Sequence, residues 1–477
     1  MPTTREVLRA TGRAAAVVGV AAIVTGLVGA ASLLPLPVVA AAPPSTIVQP
    51  AESRQLRVCP GPLLSLADDA AAATAARSIG EPDLVVAADP ADAEVAQVDL
   101  AAPDDAAGAA GPVALSAEPG AVMSGMLAGA QSQSADTESL RGFAAADCAE
   151  PASDSWLVAG ATDVGRSGLV LLANPGEVAS TVDLRVIGET GPVEAPAGLG
   201  IVVAPGTQRV VSLAGLAPNV RTPVVHVTST GAPIAAALQH SVVLGLDPAG
   251  LELSTPTALP AAQQVLPGFV VVDRRGVATD EDHADGDDHP ALRIYAPEGV
   301  EASASVEVRD EDGAPAAQVE VELAPGQATD LPLGTLDPGT YTILVDADAP
   351  VVVAARSTVL GPGDDPIVAD LAWTTATGPL LDGATVAVPP GPGAALELAN
   401  PTEVDVEAIV SAGADERSVV VPAGGAASVP VGGGDRLVLA GVDGLHAAVT
   451  FRGDDALAWM PVPPPGPLDA PVRVFPQ

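Results

Sequence analysis

The sequence predicts a mainly β protein: tandem antiparallel β-sandwich modules of immunoglobulin-like type, following an N-terminal transmembrane helix. Three observations carry this. A motif recurs three times in order, the strands inside it alternate apolar and charged residues, and an uncharged 21-residue run sits near the N-terminus.

The recurrence begins with Leu171 to Val186, echoed at Leu292 to Arg309 and again at Leu396 to Gly413. Each copy opens with a strand ending in Asn174-Pro175, Ala296-Pro297 or Asn400-Pro401. A Pro/Ala-Gly turn follows, ending at Gly206, Gly326 and Gly424, and a last turn lies at Gly231 to Pro233, Asp348 to Pro350 and Gly453 to Asp455. From the first proline to the last turn the spacing is between 51 and 56 residues. Val182 to Val186, Val319 to Leu323 and Val404 to Glu407 alternate apolar and polar side chains, the period of a half-buried strand. Pro-Gly suits a turn in which proline presets φ and glycine accepts a positive φ. About seven short strands per copy, separated by turn signals, fit an antiparallel sandwich. Units open near Trp156, Gln264 and Trp373, where Trp156 and Trp373 read as rings anchoring cores built from Val, Ala and Leu.

The N-terminal signal comes from Arg5, Arg9 and Arg13 preceding the apolar run from Ala14 to Leu34. As a helix this run is about 31 Å long, enough to span a bilayer. The basic flank belongs on the cytoplasmic side, so everything after Pro35 is expected outside. An uncleaved anchor is preferred over a signal peptide, for which Val38 to Pro43 would supply the cleavage site. The expected organisation is therefore a cytoplasmic basic tail (1–13), an anchor or signal segment (14–34) and a linker (35–55). An Ala/Asp/Gly-rich N-terminal region (56–150) comes next, then sandwiches at 151–260, 261–370 and 371–465, and a tail at 466–477. Within the Ala/Asp/Gly-rich region strands are expected near 83–100 and 111–117, with a short helix capped by Ser65, the whole poorly packed and pinned by a disulfide. Cys59 and Cys148 are the only cysteines, lie far apart and sit in a compartment where disulfides persist, so a bond between them is expected.

Composition narrows function. The formal charge is -39, from 59 acids against 20 bases, all of them arginine. Such a surface repels phosphate backbones, which argues against nucleic-acid binding. Aromatics make up only 2% of the chain, which argues against surfaces that stack sugar rings.

Reactive side chains do not concentrate. The acidic loop 279–290 carries Asp280, Glu281, Asp282, Asp285, Asp287, Asp288, His283 and His289, but their order does not match an EF-hand, and a solvated loop is the simpler reading. Ser167 lacks a full nucleophile elbow. His226, His240 and His446 fall on or beside strands with no nucleophile paired to them. Arg452-Gly453-Asp454 spells a cell-attachment tripeptide at a turn, a short match of low information. No catalytic residue, cofactor or metal ligand is assigned.

The runs Ser155 to Val186, Ala204 to Leu213 and Val224 to Ser241 resemble a family of actinobacterial secreted or membrane-anchored envelope proteins of unknown function. The likeness extends to the segments around Cys59 and Cys148. It implies a place at the cell envelope and supplies no catalytic residues. The expected role is a non-enzymatic scaffold or binding array, its partner an envelope protein or cell-wall polymer. A wall-polysaccharide-binding protein is the alternative, and an envelope hydrolase the least supported.

Overall fold

The computed structural model describes residues 46–48, 54–66, 76–108, 111–272, 289–297, 301–361, 368–381, 383–464 and 472–474. The anchor at 14–34 and the acidic loop up to residue 288 lie outside the described residues. Among the described residues no helix is long and apolar enough to cross a membrane. Two units divide the chain. The smaller contains one antiparallel pair, Thr46–Val48 with Val472–Val474, so part of the expected tail is a strand. The larger, Ala51–Asp469, holds everything else.

Within the larger unit the same strand pairing occurs three times. Block 1 has eight main strands, Asp154–Val158, Arg166–Asn174, Ser180–Gly188, Ile201–Val203, Thr207–Ser212, Val224–Thr230, Ala235–Leu244 and Asp247–Ser254, besides the two-residue Gly191–Pro192 that pairs with the end of the third. They form two antiparallel sheets, ordered 1-6-3-4 and 5-2-7-8. Block 3 repeats both orders with Gly383–Ala387, Ala395–Ala399, Val406–Ala412, Asp415–Val421, Ala426–Pro430, Arg436–Ala440, His446–Arg452 and Leu457–Val462. Block 2 repeats them with one change. Its strands are Ala261–Val271, Ala291–Tyr295, Ala302–Arg309, Pro315–Leu323 and Thr329–Pro332, then a single 22-residue strand, Gly339–Leu360, and last Val368–Thr375. The first half of the long strand pairs with the first and third strands; the second half pairs with the second and eighth.

The antiparallel, mainly β reading therefore holds, while the connectivity is not the immunoglobulin one. In that fold the first two strands share a sheet; here the first pairs with the sixth and the second with the fifth and seventh. The Pro/Ala-Gly turns fall between strands four and five in every block, and Gly206, Gly326 and Gly424 take φ of 65°, 71° and 69° as the turn chemistry requires. Two sequence expectations need correction. Trp373 does not open block 3 but lies on the eighth strand of block 2, because that strand completes the sheet begun by Ala291–Tyr295. Gly453 to Asp455 separates strands seven and eight, whereas Gly231 to Pro233 stands between strands six and seven and Asp348 to Pro350 lies within the long strand that replaces those two in block 2.

The N-terminal segment is also better packed than expected. Gln55–Val58, Val113–Ala117 and Ala96–Asp99 form one sheet, and Asp83–Ala88, Leu127–Asp136 and Arg141–Asp147 another. Ser65 lies in a strand, Leu63–Leu66, paired with Ala76–Ile79, so it caps no helix. Cys59 and Cys148 are bonded and buried against Leu115. This segment shares its cores with its neighbours. Leu63, Leu64, Ala144 and Ala146 pack on Leu169 and Leu171 of block 1, while Val85, Ala130 and Phe143 join the core of block 3.

Candidate functional site

In the second sheet of each block, strands two, seven and eight are largely buried on both faces, which brings the blocks together. On the long strand of block 2, Val351, Val353 and Ala355 face the block's own core, while Val352 and Ala354 enter the core of block 1. Runs such as Val351 to Ala355 are apolar without alternation, the pattern of a strand covered on both sides.

Two buried charges close these seams. Arg293, whose side chain is fully buried on the second strand of block 2, donates five hydrogen bonds. Its Nε and Nη2 pair with Asp330 at 2.8 and 3.0 Å, and its remaining donors reach the carbonyls of Gly160, Pro223 and Arg221 in block 1. Its guanidinium also lies 4.7 Å from the centre of the Trp373 ring. All five donors of the fork are used, the condition under which a buried guanidinium is tolerated.

Asp370 is the anionic counterpart. Fully buried, it accepts from the backbone N–H of Phe143, Leu251, Leu371 and Leu457, at 2.9 to 3.2 Å. Those four amides belong to the N-terminal segment and to blocks 1, 2 and 3. Glycine is required beside it: Gly142 has φ of 138°, and a Cβ there would meet the Asp370 carboxylate at 2.5 Å. Glu252 lies near, accepting from the N–H of Leu253 at 2.8 Å and of Trp373 at 3.3 Å. Burial pushes both carboxyls well above the usual carboxylate range, opposed by these N–H donors; the charge of Asp370 raises Glu252 further.

A pocket of about 420 Å³ opens at another junction, where the N-terminal segment meets blocks 1 and 3, walled by Ile234, Leu259, Pro256 and Pro463. Arg57, Asp147, Glu150 and Thr255 line it as well. Arg57 bonds Glu150 at 2.6 Å and the carbonyl of Leu127 at 3.0 Å. Asp147 accepts from the hydroxyl of Thr255. Burial lifts the Asp147 carboxyl to about 6, against the lowering effect of Thr255 and the charge of Arg57. Apolar walls with a few convergent polar groups and a displaced pKa are the signature of a ligand pocket. The chemistry suits an apolar group that carries one hydrogen-bond donor.

The residues singled out in the sequence are scattered. Trp156 is buried in the block 1 core, stacked 3.9 Å from His226, with Tyr295 5.9 Å away. These rings stand at a second cleft, of about 400 Å³, but Trp156 and Tyr295 are each only 5% exposed, so they wall it rather than offer a stacking platform. His226 Nε2 lies 3.1 Å from Asp154. Ser167 sits on a strand opposite Ser241, with His240 opposite its neighbour Gly168. His446 is buried with its Nδ1 2.8 Å from the carbonyl of Thr377, and burial pulls it down to about 4. Gly453, within the attachment tripeptide, closes a turn by donating to the carbonyl of Ala456. The asparagines of the repeat are clamps. Asn174 donates to the carbonyls of Val178 and Val203 and accepts from Gly176; Asn400 donates to those of Val404 and Val421 and accepts from Thr402.

Sequence reasoning missed Arg293, Asp370 and Asp147. A signal existed for the first two: each is a lone charge inside an apolar strand, in Leu292-Arg293-Ile294 and Ala369-Asp370-Leu371. Such a charge reaches the interior only with partners.

Comparison with known proteins adds one firm result. No curated protein matches. Among solved structures, a Thermotoga maritima protein, 1070, is 22% identical with a TM-score of 0.19, covering 24% of this chain and 93% of its own. A structure of the infectious bursal disease virus Gx strain is 12% identical with a TM-score of 0.10, covering 84% of this chain and 81% of its own. Neither likeness bears on the fold described above. A family model, by contrast, matches residues 101–432, from the N-terminal segment into block 3 and more than half of the chain. The chain belongs to DUF5719, a family of unknown function.

Proposed function

We propose that this protein is a non-enzymatic extracytoplasmic component of the cell envelope, a rigid β scaffold that holds another envelope protein. In this reading the apolar run from Ala14 to Leu34 provides the membrane attachment, and the junction pocket beside Asp147 seats an apolar side chain of the partner. One observation carries it: Asp370 gathers backbone donors from four separate segments, so the blocks move as one body rather than as beads on a string. A body locked in this way presents its outer surfaces at fixed spacing. The disulfide between Cys59 and Cys148 supports an oxidising compartment.

The test is co-sedimentation of the purified full-length chain, kept in detergent, with envelope preparations before and after protease stripping. Binding that disappears on stripping is expected. Binding that survives would put a wall polymer in the partner's place, the alternative function. Turnover of envelope glycans by the purified chain would overturn the non-catalytic reading.

A further inference from the structure

We propose that the pocket beside Asp147 takes a lysine side chain of the envelope partner, with its aliphatic stem along the apolar walls and its ammonium on the Asp147 carboxylate. The inference rests on the reading of that pocket as the partner's seat, and refines the occupant from a purely apolar side chain to an apolar stem with a cationic head. Ile234, Pro256, Leu259 and Pro463 supply the hydrocarbon of the walls, and Leu259 is 62% exposed, so apolar surface faces solvent at a concavity of about 420 Å³. A four-carbon stem laid along such walls takes apolar area out of water on both sides.

Charge decides what the stem carries. Three carboxylates, Asp147, Glu150 and Asp154, line the pocket with one guanidinium, Arg57. Arg57 and Glu150 are paired at 2.6 Å. Asp154 has His226 beside it at 3.1 Å, an imidazole rather than a permanent cation. Asp147, at the end of the strand Arg141–Asp147 and 7% exposed, feels the Arg57 charge, but its bond is to a neutral hydroxyl, that of Thr255, on Oδ1. The pocket thus keeps an excess of two negative charges, which a cationic head matches. The same geometry separates lysine from arginine. A guanidinium prefers two parallel bonds to both oxygens of a carboxylate, whereas an ammonium is a compact point charge that needs one acceptor. With Oδ1 engaged by Thr255, Oδ2 is the oxygen left to offer, and one acceptor suits the ammonium. This chain contains no lysine, so a second copy has no such side chain to insert, and the occupant comes from another protein.

Calorimetric titration of the full-length chain, carried in phosphatidylcholine nanodiscs at pH 8, where a carboxyl lifted to about 6 is ionised, tests this. The probes are Nα-acetyl-lysine methylamide, its norleucine analogue, which has the stem without the ammonium, and its arginine analogue. The lysine probe is expected to bind saturably and about tenfold more tightly than norleucine, the contribution of one charge-assisted hydrogen bond. Asp147→Asn is expected to remove that advantage and leave norleucine binding as it was. Glu416→Gln, on an exposed strand of block 3, is expected to change neither. Norleucine binding as tightly as lysine would overturn the inference while keeping the pocket as an apolar seat. Arginine binding more tightly than lysine, or an equal loss in both variants, would overturn it too, the first through the acceptor geometry and the second as a general charge effect. No binding of any probe would overturn the inference and the pocket's role together, with the scaffold reading still judged by co-sedimentation. The comparison of probes on the native chain decides the matter whether or not Asp147→Asn folds.

Discussion

Three positions before each Asn-Pro or Ala-Pro mark stand Leu171, Arg293 and Glu397, one per block and all on the second strand. All three face the segment that precedes their block. Leu171 packs on Leu63 and Leu64 of the N-terminal segment, Arg293 bonds carbonyls of block 1, and Glu397 lies against Gly268 of block 2. The same seam is thus closed by a hydrocarbon, a cation and an acid. The Arg293 seam is the most demanding, since every donor has a partner. The Glu397 carboxyl accepts from two hydroxyls, Thr450 at 2.9 Å and Ser428 at 3.1 Å, and burial lifts it to about 7. A repeated fold fixes where neighbouring blocks meet and leaves the chemistry of the meeting open.

The largest effect is expected at the point shared by all the seams. Asp370→Ala strands four buried N–H groups, each costing about 1–3 kcal/mol, so the variant should lose cooperative melting by circular dichroism. A melt close to that of the native chain would show that the four segments do not depend on this carboxylate. Next is the cationic seam: Arg293→Met should cost about 3–5 kcal/mol in denaturant unfolding by leaving Asp330 and three carbonyls behind. Arg293→Lys should not restore it, because one ammonium cannot reproduce the five-donor fork. Equal stability of the lysine variant would reduce the role of Arg293 to bare charge.

Smaller changes separate the clamps from the seams. Asn174→Ala and Asn400→Ala should each cost about 1–3 kcal/mol, a price bounded by block 2, which folds with Ala296 in the same place. The smallest effect is a pH slope. Because the folded pKa of Glu397 lies above its ordinary value of 4.5, its contribution is full below pH 4.5 and lost as pH rises through about 7. Relative to Glu397→Gln, the native chain should therefore lose melting temperature over that window. His446 works in the opposite sense, its contribution full above pH 6.5 and lost toward pH 4, which is why the difference between the two chains, rather than either curve, isolates Glu397. A constant difference across the window would mean that Glu397 does not titrate there.

Much of the fold was legible because it is local. Turn glycines, the proline marks and strand alternation each depend on neighbours a few residues away, so the three copies stand out in the sequence itself. Strand order was not legible: the alternation in Val182 to Val186 says which face is buried, not that the first strand pairs with the sixth. The candidate site was still less so. Asp147 lies in an ordinary run of alanines, and its bond to Thr255 joins residues more than a hundred positions apart.

By itself, then, the sequence determined a repeated antiparallel β architecture, the glycine turns that permit it and an acidic surface, all set by side-chain period and backbone sterics. Only the tertiary structure decided that the blocks fuse and that Arg293 and Asp370 lie inside. A buried charge is stable only when distant segments bring its partners, and those partners are fixed by packing rather than by any local pattern.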